Sequence, residues 1–464
     1  MPKRTLTAIL GTFVLVAGLG GYVYADIQDI APGYLTKDAP IVGAEAPDRE
    51  SVRTSGSLPA RVLVDVPPIV PEDVKPAWKK FSEAGKDQEF TPGAYVIDAI
   101  TGNVLLNGNG EKGMTPASVI KVLTALTTVN SLNPSDTLAT SVFIDEGGAL
   151  HLVGEGDLLL AGGAGDPTEI NGHAGLEDLA KATAKEIESK YANRDIEKLI
   201  YHPKIFDGET REEALSEGLE HWIGHLSAFA IDRGELPGAG YQPYRDDPGA
   251  HVAEGLQENL KDLGVDVDIE KSDERFDEDA AKLVAEVRSA TVGEVTRLML
   301  TDSDNTLAEQ LCRMSSAAAG NGSTLPDATE HLEKVLGETG IYNDNLVVHD
   351  CSGLNEKNKV APRTVAEALR VIWTSDEPAV AQIMRDLPIG HFTGTLDSRF
   401  DGDENGVRVQ AKTGSLDEVS SLAGYVTTEE GRVLIFHVQS ADMEEGAFFT
   451  RYAVEDFALD LTRL

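Results

Sequence analysis

The chain has 464 residues, with 40 basic against 78 acidic side chains and a formal net charge of −38. That length suffices for about two to three domains with full hydrophobic cores, and the 41% hydrophobic fraction describes a globular chain, not an acidic disordered tail. So large a deficit of positive charge excludes nucleic-acid phosphates as partners, and also anionic lipid headgroups held by a basic patch. It names no substrate.

The first predicted element is an export signal. Met1-Pro2-Lys3-Arg4 precedes an uncharged run over residues 6–25, and positive charge before an apolar run keeps the N-terminus inside. Residues 1–25 read in two ways. Val23-Tyr24-Ala25 offers a signal-peptidase site, whereas the length of the run matches the roughly 20 residues of a spanning helix. Either way the bulk of the protein lies outside the cytoplasmic membrane. Eight of the 21 prolines then fall between residues 26 and 80, so residues 26–85 read as an extracytoplasmic linker.

Globular pattern is expected from about Phe90. Short strands at 94–98 and 104–106 flank Thr101-Gly102-Asn103, a hairpin signal. Thr115-Pro116 opens a helix running to about Val129, with proline in its first turn. From about Ser131 to Glu286 the texture is mixed: strands at 139–144 and 149–153, helices at 176–191 and 250–263, and a Gly/Pro-rich turn at 234–248. The acidic run 273–279 reads as a solvated face or loop. A helix over 305–314 follows, then strands at 407–412, 420–426 and 433–439. Phe449, Ala453, Phe457 and Leu461 recur every four residues, an apolar stripe on a closing helix. The class is α+β, an antiparallel sheet packed against helices.

Three short motifs carry candidate chemistry. In Ser118-Val119-Ile120-Lys121 a spacing of three puts hydroxyl and amine on one helical face. The positive end of the helix discourages a charged ammonium, so a neutral Lys121 takes the Ser118 proton. Alone, S-x-x-K also arises by chance. Ser303-Asp304-Asn305 is equally a helix N-cap, and Ser131-Leu132-Asn133 matches S-x-N as well. Lys412-Thr413-Gly414, continuing into Ser415, reads as a strand end with a glycine turn. Functionally, its lysine and hydroxyl bind a carboxylate while the strand edge pairs with an extended peptide. Of the two cysteines, Cys312 and Cys351, each lies beside one of these regions. In an oxidising compartment they form a disulfide, the alternative being two separate buried thiols.

In the order S-x-x-K, S-D-N, K-T-G the motifs are the set of penicillin-binding proteins and serine β-lactamases. Residues 90–464 resemble the low-molecular-mass, class C D-alanyl-D-alanine carboxypeptidase/endopeptidase penicillin-binding proteins, which carry an inserted domain. The resemblance extends to Leu152-Val153-Gly154-Glu155-Gly156-Asp157, Asp350-Cys351-Ser352-Gly353-Leu354 and Gly394-Thr395-Leu396. It implies a penicillin-binding-protein/β-lactamase-like transpeptidase fold. Residues 86–134 and 285–464 form the catalytic domain, and 135–284 a mixed α/β insertion. Ser118 is implied as the acylated nucleophile and Lys121 as its base. Ser303, Asn305 and Lys412 relay protons and hold substrate. Thr413 and Gly414 line the carboxylate site, and the backbone N–H groups of Ser118 and Ser415 form the oxyanion hole.

Two departures stand out. The motif serines Ser118 and Ser303 are 185 residues apart, closer than in the family's fullest members, so part of the insertion is expected to be missing. Asn355-Glu356 stands where the family often has Ser-Arg. The implied partners are peptidoglycan stem peptides and, as inhibitors, β-lactams. No zinc-ligand cluster or nucleotide fingerprint accompanies the motifs, and no cofactor is assigned. A serine β-lactamase shares the motifs, but no E-x-E-L-N-type segment supplies a deacylating glutamate. A non-catalytic wall-binding relative is the third reading, opposed by the intact motif residues.

Overall fold

A computed structural model describes residues 66–464 apart from 213, 214, 217, 238–243, 401, 444, 445 and 447–449. The expected export segment and the linker up to residue 65 lie outside the described residues, as does Phe449 of the apolar stripe. Among the described residues no helix is long and apolar enough to cross a membrane.

The linker expected to reach residue 85 gives way at Pro71 to a helix, α1 (Pro71–Asp87). Proline at a helix start costs no hydrogen bond, because the first N–H groups have no intrahelical partner. Val74, Ala77 and Phe81 then form a buried stripe. β1 (Thr91–Asp98) and β2 (Val104–Gly108) form the expected hairpin. A 3₁₀ turn at Ala117–Ile120 leads into α2 (Lys121–Ser131).

The middle of the chain builds β3 (Thr137–Ile144), β4 (Leu150–Gly154), β5 (Asp157–Leu160), α3 (Leu176–Lys190), β6 (Lys198–Tyr201), β7 (Phe229–Ile231), α4 (Pro248–Asp262), β8 (Asp268–Lys271) and β9 (Lys282–Thr291). These strands give a sheet in the order β8-β6-β4-β3-β9 and a small β5-β7 pair. Because β9 pairs with β3 from Lys282 to Thr291, the second sheet ends at 291, not at the expected 284. The half-exposed alternation of β9 hides this strand in an acidic stretch.

The chain continues through α5 (Val292–Asp302), α6 (Asn305–Ala318), α7 (Leu325–Glu338), α8 (Pro362–Thr374) and α9 (Pro378–Asp386). It closes with β10 (Val409–Leu416), β11 (Val419–Thr427), β12 (Val433–Ala441) and α10 (Arg451–Thr462). The main sheet runs β10-β11-β12-β1-β2, antiparallel throughout, with the N-terminal hairpin docked on β12 as register Val96–Phe436 shows.

Helices cover both faces of this sheet. On one side Val119, Leu123, Leu307, Leu311, Ala366 and Ile372 pack beneath Ala423 and Ile435. On the other, Phe81 of α1 meets Phe457 of α10 at 5.7 Å, both buried against Phe436 and Val438. Each such side chain removed from water contributes about 1.5–3 kcal/mol. β10 is left as an edge of the sheet, beside the 3₁₀ turn that carries Ser118.

Candidate active site

The turn that carries Ser118 is tighter than the α-helix start expected from sequence. Ser118 sits in the 3₁₀ turn, where residues three apart eclipse one another, so Lys121 lies directly above it. Its neighbour Ala117 has φ +50°, a left-handed conformation that costs about 1–2 kcal/mol for a residue with a Cβ. Two glycines allow the crowding around it. A Cβ on Gly353 would lie 2.1 Å from the Ala117 carbonyl, and one on Gly414 would lie 2.9 Å from the Pro116 carbonyl.

Lys121 is fully buried, and its Nζ has three partners: Ser118 Oγ at 3.0 Å, Asn305 Oδ1 at 2.7 Å and the Ser352 carbonyl at 2.6 Å. A neutral amine fits this set, donating to the two acceptors and turning its lone pair to the Ser118 hydroxyl. Burial pushes Lys121 down to about 8, against the raising fields of Asp350, Asp304 and Glu309. The cause is therefore desolvation, more than the helix terminus invoked from sequence. Lys412 is also fully buried, and desolvation together with the nearby Lys121 and Arg399 holds it well below its usual range.

The second motif follows α5 directly. Ser303 takes a left-handed conformation, φ +63°, which ends α5 and turns the chain into α6. Asp304 caps α6 by accepting from the Leu307 N–H at 2.7 Å, so the N-cap reading and the functional one hold together. Ser131, of the second S-x-N match, ends α2 and bonds to His331 at 2.8 Å, outside the site.

The third motif lies inside β10, not at its end. Ser415 and Leu416 stay paired with Ser420 and Val419. Lys412 Nζ donates to the Thr413 carbonyl at 3.1 Å, and Thr413 Oγ1 donates to Thr395 Oγ1 at 2.9 Å. Ser118, Ser303, Asn305, Thr413 and Ser415 line one cleft of about 860 Å³.

Other groups shape the cleft and were not singled out from sequence. Leu219, Trp222 and Tyr244 come from the irregular segments between β6 and α4, where no periodicity marks them. Arg399 and Arg451 line the far end, both ion-paired with Glu455. Glu356 accepts from Ser216 Oγ and, through its carbonyl, from Thr115 Oγ1, and it is not among the residues that line the cleft.

The loop after α7 is fixed by buried acids. Glu309 accepts the N–H groups of Cys351 and Ser352, and burial with the nearby Asp350 pushes it up to about 8. Asp350 accepts from the N–H groups of Gly353 and Asn355. Cys312 of α6 and Cys351 form a disulfide, 39 residues apart in the chain. Closing a loop of that length constrains the unfolded chain by about 4 kcal/mol. Replacing both cysteines by serine is therefore expected to lower the unfolding free energy by that order, and the denaturant midpoint with it. Acylation should slow too, since Ser352 next door orients Lys121. An unchanged unfolding midpoint by circular dichroism would sink this expectation.

Comparison with known proteins decides the family. The model of the D-Ala-D-Ala carboxypeptidase 3 (S13) family matches residues 81–197 and 241–451. The chain belongs to the S13 family. As an S13 member it is a serine-type D-Ala-D-Ala carboxypeptidase. The carboxypeptidase DacB of Mycolicibacterium smegmatis is 29% identical over 354 residues, covering 74% of each chain. The D-alanyl-D-alanine carboxypeptidase of an Actinomadura species is 24% identical over 414 residues, covering 74% of this chain and 76% of that one. Penicillin binding protein 4 from Haemophilus influenzae has the same fold, with a TM-score of 0.67 at 19% identity, over 83% of this chain and 99% of the other. The S13 match passes over residues 198–240, in which Trp222 and Arg233 lie. Among the described residues there is no cluster of His, Cys, Asp or Glu able to hold a metal ion.

Proposed function

We propose that Ser118 is the acylated nucleophile and Lys121 its general base in hydrolysis of the terminal D-Ala-D-Ala bond of peptidoglycan stem peptides. The observation that carries this is the Lys121 amine, buried and 3.0 Å from Ser118 Oγ. The Ser118 proton passes to Lys121 Nζ as Oγ bonds to the carbonyl carbon, giving a tetrahedral oxyanion. The N–H groups of Ser118 and Ser415 stabilise that oxyanion, and Thr413 receives the terminal carboxylate. The C–N bond breaks as the proton on Lys121 passes through Ser303 and Lys412 to the leaving D-Ala nitrogen, Asn305 holding Lys121 in place, and water then cleaves the ester.

The substrate enters as an extended strand along β10, whose open side is partnered among the described residues by one bridge, Gln410 to Ile389. Cleavage of peptide cross-links follows the same chemistry with a bulkier leaving group. Such work is done outside the cytoplasmic membrane, in agreement with Lys3 and Arg4 ahead of an uncharged run. β-Lactams would acylate the same hydroxyl. The purified protein is expected to release D-Ala from a stem pentapeptide and to hold a fluorescent penicillin as a long-lived adduct. No D-Ala release, or rapid penicillin turnover as in a β-lactamase, would overturn the assignment.

A further inference from the structure

A strap formed by residues 222–233 is bonded to three successive residues at the S-D-N turn, Asp304, Asn305 and Thr306. Arg233 Nη1 lies 3.4 Å from Asp304 Oδ2, the Trp222 carbonyl accepts from Asn305 Nδ2 at 2.8 Å, and the Gly224 N–H donates to Thr306 Oγ1 at 2.9 Å. The strap is built for this contact. Asp232, Arg233 and Gly234 are left-handed in succession, with φ of 45°, 58° and 79°, and two of them carry a Cβ, at about 1–2 kcal/mol each. Strain of this kind persists only where surrounding contacts hold it. Here they are the Asp232 carboxylate at 2.6 Å and Glu235 at 3.3 Å, both on the Arg233 guanidinium, and the buried Asp304.

Asp304 divides its carboxylate between two tasks. Oδ1 caps α6, while Oδ2 faces Arg233. The next residue, Asn305, has its amide orientation decided by the strap: with Nδ2 given to Trp222, Oδ1 is left to accept from Lys121 Nζ.

We propose that Arg233 is a positioning residue for acylation, pairing with Asp304 to seat the S-D-N turn and to screen the Asp304 carboxylate from the Lys121 amine. This rests on the reading of Ser118 as nucleophile and Lys121 as base. The titratable groups facing Lys121 are Asp304 and Glu309 of the S-D-N turn and α6, Asp350 of the loop after α7, and Lys412 of β10. Around Asp304 stand Arg233, Glu235, Asp302 and the Tyr244 hydroxyl. Of these only Arg233 is cationic. Removing it leaves the negative field of Asp304 unopposed at Lys121, which favours the ammonium and disables the base.

The test is the pH profile of Ser118 acylation by a penicillin, on the full chain, for wild type, Arg233→Ala, Arg233→Lys and Arg233→Ala/Asp304→Asn. In R233A the acid limb is expected to move up by about half to one pH unit, making acylation about 3- to 10-fold slower at pH 7 and nearly equal to wild type above the limb. Lysine at 233 restores most of the limb position, and Asp304→Asn in the alanine background brings it back to or below that of wild type. A limb unmoved in R233A overturns the proposal. So does a loss uniform across pH that neither lysine nor D304N relieves, because that marks a purely structural role. Absence of acylation in wild type would instead overturn the assignment of Ser118 itself.

Discussion

Ser118→Ala is expected to release no measurable D-Ala and to form no covalent adduct with penicillin, a loss of at least about 10⁴-fold. The change removes one oxygen from a turn whose neighbours, Ala117, Val119 and Ile120, are buried and hold it in place. Lys121 keeps its bonds to Asn305 and Ser352, so the fold and the cleft stay as they are. The variant should melt with the wild type and still bind a penicillin reversibly. The assay is a mass-spectrometric search for the adduct alongside D-Ala release. Residual turnover near the wild-type rate would place the nucleophile elsewhere. Loss of activity together with loss of the melting transition would make the variant uninformative about chemistry, which is why the melt belongs to the same experiment.

Much of this arrangement is legible in the chain. The hairpin at 91–108, the three C-terminal strands and the closing helix follow from apolar runs punctuated by turn residues, and the structure sets them in one sheet. The S-D-N motif also has an ordinary structural reading that agrees with its place, whereas K-T-G lies inside β10 and not at a strand end. Asp304 caps α6, and Gly414 lets β10 approach the nucleophile turn. What escaped has physical causes. α1 was hidden by counting prolines, since Pro71 stands at a helix start where it is favourable, and the spacing Val74, Ala77, Phe81 was the better signal. Trp222 and Tyr244 reach the cleft, and Arg233 reaches Asp304, on irregular backbone, where neither a period of two nor of 3.6 points to a face.

The global charge illustrates the same limit. A net charge of −38 suggests that a buried lysine would be held protonated. Local geometry decides otherwise. Charges on the surface are screened by water, whereas the loss of hydration at a fully buried Nζ acts without screening. The three acids that act on Lys121 are near it, and each is engaged: Glu309 and Asp350 accept backbone N–H groups, and Asp304 faces Arg233.

Lys121→Met is accordingly expected to cut acylation by about 10²- to 10⁴-fold, the usual range for loss of a general base, while leaving Ser118 able to form the adduct slowly. The pH dependence carries the sharper content. The base works only when neutral, and burial pushes Lys121 down to about 8. In wild type, therefore, acylation should rise about tenfold per pH unit below 8 and level off above it. Protonation at lower pH removes the lone pair that receives the Ser118 proton, so the limb falls toward acid. In the methionine variant that limb should vanish, leaving a low rate with no inflection near 8. The measurement is the second-order acylation constant with a penicillin from pH 6 to 9.5, and a variant that keeps the wild-type limb would show that another group takes the proton. Lys412 is the natural rival, being equally buried and close enough to act on Lys121's field. Its Nζ donates to the Thr413 carbonyl, whereas the Lys121 amine is hydrogen-bonded to Ser118 Oγ itself. That contact favours Lys121 for the first proton transfer, and Lys412, bonded to the Thr413 carbonyl, stays on the edge strand.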